Sequence, residues 1–459
     1  MSNYQISFEP KLVKSVKTKN RFIHTRIPAP GTKEIFERLE LVESRSMHGQ
    51  LPIIWDKARG HNVFDKAGNC WIDFTSTIFV ANVGHSNENV IKAIKSTLDN
   101  PLYSCYAYSN EIRANYLERL ISFAGKPFEK AFLLSAGTEA TEAALKLMRM
   151  NGKKNAKKKL GIICLDGNWH GRTLGSQMMS GNLEQKDWIG YHDPNIHHIS
   201  FPYPWLLKNK NSLEILNDSI NKLKLSGINF ESDICGFMLE TFQGWGAIFY
   251  PKEFVQAIKD ICKENNILLT FDEMQSGFAR TGKKFGYEHY DVEPDLLCIG
   301  KGMGGGVPLS GVLGREEIMD LPDVGNMSST HSANPLVCAA GLAVLDEINN
   351  LDLVKTTKEK EKILFGRLKK IQEKYPHKVS YVFGKGLIAA ILFKSCETNK
   401  PDAKFTSKVA EKCLQKGLLV VHTGRESIKI GPPLTITSDA LIEGLEVLEE
   451  SIVEVTNCF

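Results

Sequence analysis

The sequence predicts an α/β protein with a large domain, built on a mostly parallel sheet between helices, and a smaller α+β domain. Its 459 residues exceed the length at which one compact core stops growing, so we expect at least two lobes. The middle of the chain alternates short apolar runs with helical patterns, which indicates parallel strands covered on both faces. After Pro335 this alternation ends and long helices dominate.

Five short apolar runs in the large domain are predicted to be strands. They are Lys130–Leu134, Leu160–Asp166, Ile234–Glu240, Ile267–Glu273 and Asp295–Gly300. Helical patterns lie between them, because "TEATEAALKLMRM" has apolar residues at helical spacing and Phe254–Asn266 repeats that pattern. The basic run Gly152–Lys159 between a helix and a strand is expected to be a solvated loop.

We predict three segments. Residues 1–75 are an N-terminal segment, residues 76–334 form the large domain, and residues 335–459 form the C-terminal, smaller α+β domain. The first segment carries a turn signal, Lys66–Asn69, between two short strands, and we expect it to join the smaller domain. The last segment contains the helix "PLVCAAGLAVLDEINN", a heavily charged helix over Asp352–Tyr375, two apolar runs and a closing amphipathic helix from about Asp439.

The composition argues against a nucleic-acid-binding protein, a disulfide-stabilised protein and a membrane protein. The 57 basic and 53 acidic residues leave a net charge of +4, which does not suggest a nucleic-acid partner. The ten cysteines are scattered without CxxC pairs, so a reduced, cytoplasmic chain is the simpler interpretation. The first residues lack the apolar core of a signal peptide, and no apolar run reaches about 18 residues. We therefore expect no membrane partner.

Polar residues follow several predicted strands at their carboxyl ends, where ligands bind in an open α/β sheet. One strand ends in Glu240, another ends in Asp272, and a third ends one residue before Lys301. The strand Lys130–Leu134 runs into "SAGTEA", which opens a helix at Thr138. The free N–H groups and partial positive charge of such a helix start suit a phosphate.

Each of these features alone has an ordinary structural explanation: an N-cap, a strand-exit carboxylate and a snorkelling surface lysine. Together, a phosphate cradle, a strand-end carboxylate and a strand-end lysine are what pyridoxal 5'-phosphate requires. The lysine forms a Schiff base with the cofactor and must be neutral to do so. The carboxylate keeps the pyridine nitrogen protonated, so that the ring withdraws electrons. Lys301 and Asp272 are therefore the candidate catalytic residues.

The chain resembles the class III (ω-) aminotransferases of the fold-type I pyridoxal-phosphate enzymes. The matching stretches are "GHNVFDKAGNCWIDFTSTIFVANVGH", "SAGTEATEAALKLMR", "GNWHGRT", "ETFQG", "FDEMQSGFARTG", "GKGMGGGVPLSG" and "STHSANPLVCAAGLAVL". They run in order from about Gly60 to Thr437, and Lys301 follows Asp272 by 29 residues (301 − 272). The resemblance implies a large domain with a seven-stranded type of sheet and a smaller α+β domain.

The resemblance also implies the cofactor contacts. Lys301 carries the cofactor and later moves the proton, Asp272 pairs with the pyridinium nitrogen, and Gln275 reaches the ring hydroxyl. The remaining cofactor-binding positions are Met274 and Trp169 on the two ring faces, Gly137 and Thr138 at the phosphate, Glu240 in a positioning role, and Thr330 at the partner subunit's phosphate. A homodimer or a dimer of dimers with shared active sites follows from the last contact.

The chain departs from many family members at the substrate side. Those members have a glutamate in a "QGEGG"-like stretch where this chain has Trp245, and an arginine before "PPL" where it has Lys429. In them the arginine binds the keto acid's α-carboxylate and the glutamate neutralises it. In this chain the substrate's carboxylate is bound by Arg425, by Lys429 or by neither of them. Ile78 and Phe79, with Trp245, are expected to form an apolar wall of the substrate pocket.

The expected activity is transfer of an amino group from an ω-amino acid or other primary amine, such as 4-aminobutyrate, β-alanine or taurine, to pyruvate or 2-oxoglutarate. An aminomutase or a phospho-amine lyase on the same fold is the alternative. A non-catalytic cofactor-binding protein is a further alternative, which the intact Lys301, Asp272 and Gln275 oppose. A nucleotide-binding protein is not expected, because no GxxxxGK[ST] motif occurs.

We expect no metal site. Three histidines, His192, His197 and His198, lie close together in the sequence, but nothing around them supplies the ligand spacing of a metal centre. They are interpreted as structural or surface residues.

Overall fold

A computed structural model describes residue 4, residues 6–100 and residues 102–457. Its helices are α1 Thr32–Val42, α2 Ser76–Phe79, α3 Glu88–Asp99, α4 Glu111–Ala124, α5 Gly137–Asn155, α6 Leu174–Met179, α7 Ser212–Leu225, α8 Phe230–Asp233, α9 Lys252–Glu264, α10 Glu316–Met319, α11 Pro335–Asn350, α12 Leu353–Lys374, α13 Ala403–Gln415 and α14 Ser438–Asn457.

The strands are β1 Val16–Lys17, β2 Phe22–Ile23, β3 Trp55–Arg59, β4 Asn62–Asp65, β5 Cys70–Asp73, β6 Lys130–Leu134, β7 Gly161–Leu165, β8 Ile196–Ile199, β9 Ile234–Glu240, β10 Phe242–Gln243, β11 Ile248–Phe249, β12 Leu268–Asp272, β13 Leu296–Ile299, β14 Ser310–Gly314, β15 Val379–Lys385, β16 Ile388–Phe393, β17 Leu418–Leu419, β18 Val421–His422 and β19 Ser427–Ile430. The five strands that we predicted in the large domain are all present.

The chain forms two compact units. The larger unit comprises residues 88–244 and 248–354, and the smaller unit comprises the described residues up to 87, residues 245–247 and those from 355 onward. Helix α11, which we assigned to the small domain, belongs instead to the larger unit, where it packs against α3 and α4. Its mean hydropathy is high and most of its length is buried. The change at Pro335 from alternating apolar runs and helical patterns to long helices therefore did not mark a domain boundary.

The larger unit contains a seven-stranded sheet with the order β6-β14-β13-β12-β9-β7-β8. Strand β14 runs antiparallel to both of its neighbours, and the other pairs are parallel. This arrangement confirms the predicted α/β fold with a mostly parallel sheet. The carboxyl ends of β9, β12 and β13 lie side by side, because Asp272 is in register with Glu240 on one side and with Cys298 on the other.

Both faces of this sheet are buried, as a parallel sheet requires. On one face helix α5 packs Ala140, Ala144 and Leu147 against strand residues such as Met238 and Cys298. The alternating strand residues point the other way, and they are also fully buried: Ile163, Phe237, Leu239, Leu269, Phe271 and Leu297. Continuous burial explains why these strands appear in the sequence as unbroken apolar runs.

The smaller unit contains two sheets. The first has the order β1-β2-β5-β4-β3, with β17 pairing in parallel with β5, and the second is an antiparallel sheet with the order β15-β16-β19-β18. The predicted turn at Lys66–Asn69 joins β4 to β5. There the buried Asp65 accepts hydrogen bonds from the backbone N–H and the side-chain amide of Asn69, at 2.9 and 2.7 Å.

The short element α2 is one turn of left-handed helix. Its four residues, none of them glycine, have φ angles of +47°, +52°, +62° and +68°. A left-handed turn costs an L-residue roughly 1–2 kcal/mol, because Cβ approaches the following carbonyl oxygen. The surrounding structure must therefore hold this turn in place.

The basic run Gly152–Lys159 is only partly the solvated loop that we predicted. Its first four residues extend helix α5 to Asn155, and Lys159 is buried with its Nζ donating to the Asn265 carbonyl at 2.8 Å. The long aliphatic part of a lysine packs readily against apolar neighbours, which a count of charges does not reveal.

Three further properties concern the part of the chain that the structure describes. Its cysteines are all free. It contains no group of histidine, cysteine and acidic side chains arranged to hold a metal ion. None of its helices is long and apolar enough to cross a membrane.

Candidate active site

The sheet of the larger unit brings three of the predicted residues to one edge. Asp272 ends β12, Glu240 ends β9 beside it, and Lys301 follows the end of β13 by two residues. All three strands are parallel neighbours in the centre of the sheet, so their polar ends share one side. The sequence-based prediction that these side chains converge is consistent with this topology.

The carboxylate of Asp272 is buried and held by two hydrogen bonds. The Nδ1 atom of His170 lies 3.0 Å from Oδ2, and the backbone N–H of Met274 donates to Oδ1 at 3.1 Å. Both the aspartate and the histidine are almost inaccessible to solvent. A buried carboxylate with both oxygens engaged is fixed in orientation, which suits it to hold a cationic ring nitrogen.

Glu240 connects two other predicted residues. Its Oε2 accepts hydrogen bonds from the backbone N–H groups of Trp169 and Gly244, at 2.9 and 3.3 Å. Its Oε1 accepts one from the side-chain amide of Gln275 at 3.4 Å. The glutamate therefore fixes both the segment that carries Trp169 and the side chain of Gln275.

Lys301 begins a short 3-10 helix, Lys301–Met303, with a φ of +42°. This left-handed backbone is uncommon for a residue with a Cβ, and strained residues of this kind cluster at functional sites. Burial lowers the pKa of Lys301, while the nearby carboxylates of Asp272 and Glu240 act in the opposite direction. Desolvation dominates, so a larger fraction of this amine is neutral near pH 7 than for an ordinary lysine.

Met274 lies against two glycines. A Cβ atom on Gly300 would be 2.5 Å from the Met274 Sδ, and one on Gly137 would be 2.9 Å from it. Both distances are shorter than a van der Waals contact, so glycine is required at both positions while Met274 keeps this rotamer. The start of helix α5 and the residue before Lys301 are thereby brought close to one side chain.

The first turn of α5 offers a phosphate site. Gly137 and Thr138 occupy the first two helical positions, and their N–H groups have no acceptor within the helix. The Thr138 hydroxyl lies 2.7 Å from that of Thr173. Trp169 is partly exposed, with the guanidinium carbon of Arg172 located 4.6 Å from its ring centre. Thr330 is exposed in the connection between α10 and α11.

Together, these residues fit pyridoxal 5'-phosphate. The pKa of Lys301 is lowered, and the carboxylate of Asp272 is fixed at the end of the neighbouring strand. The 19-residue helix α5 begins directly after β6, a strand of the same sheet. A lysine, a carboxylate and a helix start are the three anchors for the aldehyde, the ring nitrogen and the phosphate of this cofactor.

All five predicted substrate-side residues lie in the smaller unit: Ile78, Phe79, Trp245, Arg425 and Lys429. The Arg425 guanidinium carbon lies 4.0 Å from the centre of the Trp245 ring, and Ser427 Oγ donates to the Trp245 carbonyl at 3.1 Å. Lys429 is a buried residue of β19 whose Nζ lies 5.0 Å from the ring centre of Phe79. Ile78, beside Phe79, is exposed.

The comparison with known families decides what kind of protein this is. The family model described as "Aminotransferase class-III" matches residues 44–452. The chain belongs to the class III aminotransferases. It is a transaminase that depends on pyridoxal phosphate and uses small-molecule amine and keto-acid substrates.

Two relatives and one solved structure illustrate how close this class III aminotransferase is to known proteins. It is 31% identical to a 4-aminobutyrate aminotransferase of Mycobacterium leprae, over 94% of this chain and 97% of that one. It is 34% identical to an acetylornithine aminotransferase of Caldanaerobacter subterraneus, over 89% and 96%. A transaminase structure from the marine bacterium Virgibacillus superimposes with a TM-score of 0.84 and 25% identity, over 93% and 99% of the two chains.

Sequence analysis missed one residue that supports the site of this aminotransferase, His170, and gave Glu273 only as the end of a predicted strand. His170 stands in the quoted stretch "GNWHGRT", directly after Trp169, and that proximity was the available signal. Glu273 follows Asp272 and is fully buried. It accepts hydrogen bonds from the hydroxyls of Thr241 and Ser276, both at 2.5 Å, and from two backbone N–H groups of residues 286 and 287. Glu273 thus anchors the segment that follows β12.

Proposed function

We propose that this transaminase takes the amino group from a primary amine that lies distal to an acid group, as in 4-aminobutyrate, β-alanine or taurine. The amino group goes to pyruvate or 2-oxoglutarate. The relative named 4-aminobutyrate aminotransferase supports this substrate class. The observation that carries the proposal is the Arg425 guanidinium, which stacks on Trp245 and is 42% exposed, because such a group is suited to bind an acid group. Its Nε atom also lies 3.6 Å from the Glu426 carboxylate.

The proposed catalytic residues are Lys301 and Asp272. When bound, pyridoxal phosphate supplies an electron sink for negative charge that develops at the substrate carbon. Lys301 Nζ, in its neutral form, removes the proton from the carbon that bears the amino group. Asp272, oriented by His170, holds the proton of the ring nitrogen. The lowered pKa of Lys301 supports its role as a base.

We assign the remaining cofactor contacts in the same way. Trp169 and Met274 would hold the two faces of the ring, and Gln275, held by Glu240, would reach the ring hydroxyl. Gly137 and Thr138 bind the phosphate with their free N–H groups. Thr330 contacts the phosphate bound by the partner subunit, and its exposed position is compatible with that contact.

Of the two candidate cations, Arg425 is the better carboxylate ligand. Lys429 is only 6% exposed and lies within β19, where it is in register with Ala390 and Val421. Arg425 lies in the bend between β18 and β19. A guanidinium also presents two parallel N–H groups to a carboxylate, which an ammonium does not.

We propose a homodimer as the working assembly. Several large apolar side chains of the larger unit are exposed within a short stretch of chain: Leu98, Leu102, Tyr103, Tyr106 and Tyr108. Exposed aromatic clusters of this kind are typical of protein–protein interfaces. Light scattering coupled to gel filtration tests this assembly, and a single species of monomer mass would contradict it.

The experiment for the proposed reaction uses the visible absorption of the holoenzyme. The protein is mixed, without an acceptor, with 4-aminobutyrate, β-alanine, taurine, putrescine, glutamate or alanine. We expect the absorption of the lysine-bound cofactor to disappear with an amine distal to an acid group and to return with pyruvate or 2-oxoglutarate. Discharge by glutamate or alanine alone would contradict the proposed donor class. Turnover without any keto acid would favour the aminomutase or lyase alternative.

A further inference from the structure

The left-handed turn α2 is held from one side by a single buried carboxylate. Asp73, at the end of β5, accepts hydrogen bonds from the backbone N–H of Thr75 at 2.7 Å and of Ser76 at 3.0 Å. The Nε2 atom of His85 lies 2.6 Å from Asp73 Oδ2. Asp73 is fully buried and His85 nearly so. The carboxylate therefore binds both N–H groups that lead into the turn, and the histidine orients the carboxylate.

The turn is held from the other side by the segment after β19. The Ser76 hydroxyl donates to the Gly431 carbonyl at 2.6 Å, and the Gly431 N–H donates to the Phe74 carbonyl at 2.8 Å. The Phe79 ring fills the space beside Gly431, since a Cβ there would lie 2.2 Å from the ring. Glycine at residue 431 is thus required by the position of Phe79.

The hand of the turn decides which side chain is presented. Phe79 is 1% exposed, and its ring also lies near Lys429, whereas the preceding Ile78 is 44% exposed. A right-handed or extended backbone over the same four residues would place these two side chains in different directions. Strain held at one place by several contacts, with an apolar side chain presented from it, is the pattern of a functional segment.

We propose that Asp73 and His85 are positioning residues that set the substrate selectivity of the enzyme by holding this left-handed turn. The proposal rests on the proposed function and on the prediction from the sequence that Ile78 belongs to an apolar wall of the substrate pocket; Phe79, which is buried, supports that wall from behind. The class of ligand is an amine with an apolar methylene chain, which Ile78 contacts. Loss of the hydrogen bonds that Asp73 accepts releases the strained turn and moves Ile78. The cofactor-binding residues of the larger unit keep their own contacts.

The test compares Asp73→Asn with a matched control, Asp65→Asn. Both aspartates are buried carboxylates of the same sheet that accept two hydrogen bonds within a turn, but Asp65 holds the β4–β5 turn. The readout is the ratio of kcat/KM for two donors that differ in chain length, 5-aminopentanoate and β-alanine. We expect this ratio to change about tenfold or more in Asp73→Asn and to stay within about twofold of the wild type in Asp65→Asn.

A rescue experiment separates the turn from other roles of Asp73. Thr77 is exposed within the turn, and glycine adopts its left-handed conformation without the steric cost. The double variant Asp73→Asn with Thr77→Gly should recover most of the wild-type ratio. An altered ratio that this glycine does not restore would overturn the role of the turn.

A second variant covers the case in which Asp73→Asn does not fold. His85→Gln leaves the carboxylate and its two N–H donors in place, and we expect it to shift the ratio in the same direction by a smaller factor. An unchanged ratio in His85→Gln, or in a folded Asp73→Asn, would overturn the proposal. Failure of the proposed function is distinguishable, because then no amine discharges the visible absorption of the wild-type holoenzyme.

Discussion

The imidazole of His170 lies 3.0 Å from the carboxylate of Asp272, and the two residues are 102 positions apart in the chain. The histidine follows β7, and the aspartate ends β12. Asp272 also accepts a hydrogen bond from the Met274 N–H. The two contacts together fix the orientation of the carboxylate that we propose to hold the cofactor's ring nitrogen.

Replacement of His170 by glutamine should lower kcat without preventing folding. A hydrogen bond to a charged group contributes about 1.5–3 kcal/mol, so we expect a loss of about 10- to 100-fold in kcat. The substitution should also shift the visible absorption of the holoenzyme, because the carboxylate next to the ring nitrogen is no longer oriented. The control is His197→Gln, on β8 of the same sheet; an equal loss of kcat in that variant would contradict a specific role for His170.

The lowered pKa of Lys301 predicts a pH dependence of stability in the cofactor-free enzyme. Between the native pKa and the unfolded value of about 10.4, the folded chain binds fewer protons at this residue than the unfolded chain. The contribution of Lys301 to the free energy of unfolding therefore rises with pH through that window and is constant above it.

This dependence is measured by urea unfolding of the wild type and of Lys301→Met at several pH values. The variant does not titrate at this position, so the wild type minus variant difference in the free energy of unfolding isolates the lysine. We expect the difference to rise as the pH approaches about 10.4. A difference that is flat or falls over that range would show that burial does not depress this pKa.

Substitution of Gly300 by alanine should destabilise the larger unit, because the new Cβ would lie 2.5 Å from the Met274 sulfur. Overpacking of this kind costs about 1–3 kcal/mol. Met274→Ala alone costs stability, because it leaves a cavity in the buried cluster that contains Met274. Since it also removes the collision, the loss in the double variant should be smaller than the sum of the two single losses. The control is Gly366→Ala in helix α12, where a Cβ meets nothing within 4 Å, and there we expect no loss.

The two candidate carboxylate ligands should respond differently to removal of their charge. Arg425→Gln is expected to raise the KM for the keto acid by about 10- to 100-fold, since a charge-assisted hydrogen bond is lost. Lys429→Met is expected to leave this KM within about threefold and to act on thermal stability instead. Steady-state kinetics with 2-oxoglutarate and pyruvate distinguishes the two. The opposite pattern would assign the carboxylate to Lys429.

Local patterns were sufficient to predict the strands of the larger unit and the residues at their ends. The strand Ile234–Glu240 has the predicted bounds, and Asp272 and Lys301 lie at the ends of central strands, because buried parallel strands appear in the sequence as continuous apolar runs. The contact between His170 and Asp272 was not predictable from spacing, since it depends on which strands become neighbours.

The left-handed turn at Ser76–Phe79 was also not predictable. Its residues carry no glycine, the usual sign of positive φ, and the contacts that hold it come from Asp73, His85 and the distant Gly431. Likewise, the apolar surface of α11 gave no indication of which unit would bury it. In both cases tertiary contacts decided the outcome against local signals.

The most direct test of the central claim is to find which lysine carries the cofactor. The holoenzyme is reduced with borohydride, digested, and mapped by mass spectrometry for a peptide with a covalently attached pyridoxyl phosphate. We predict that the added mass lies on the peptide containing Lys301 and that Lys301→Ala abolishes it. Attachment at another lysine, such as Lys429, or no attachment in a protein that binds the cofactor, would contradict the account.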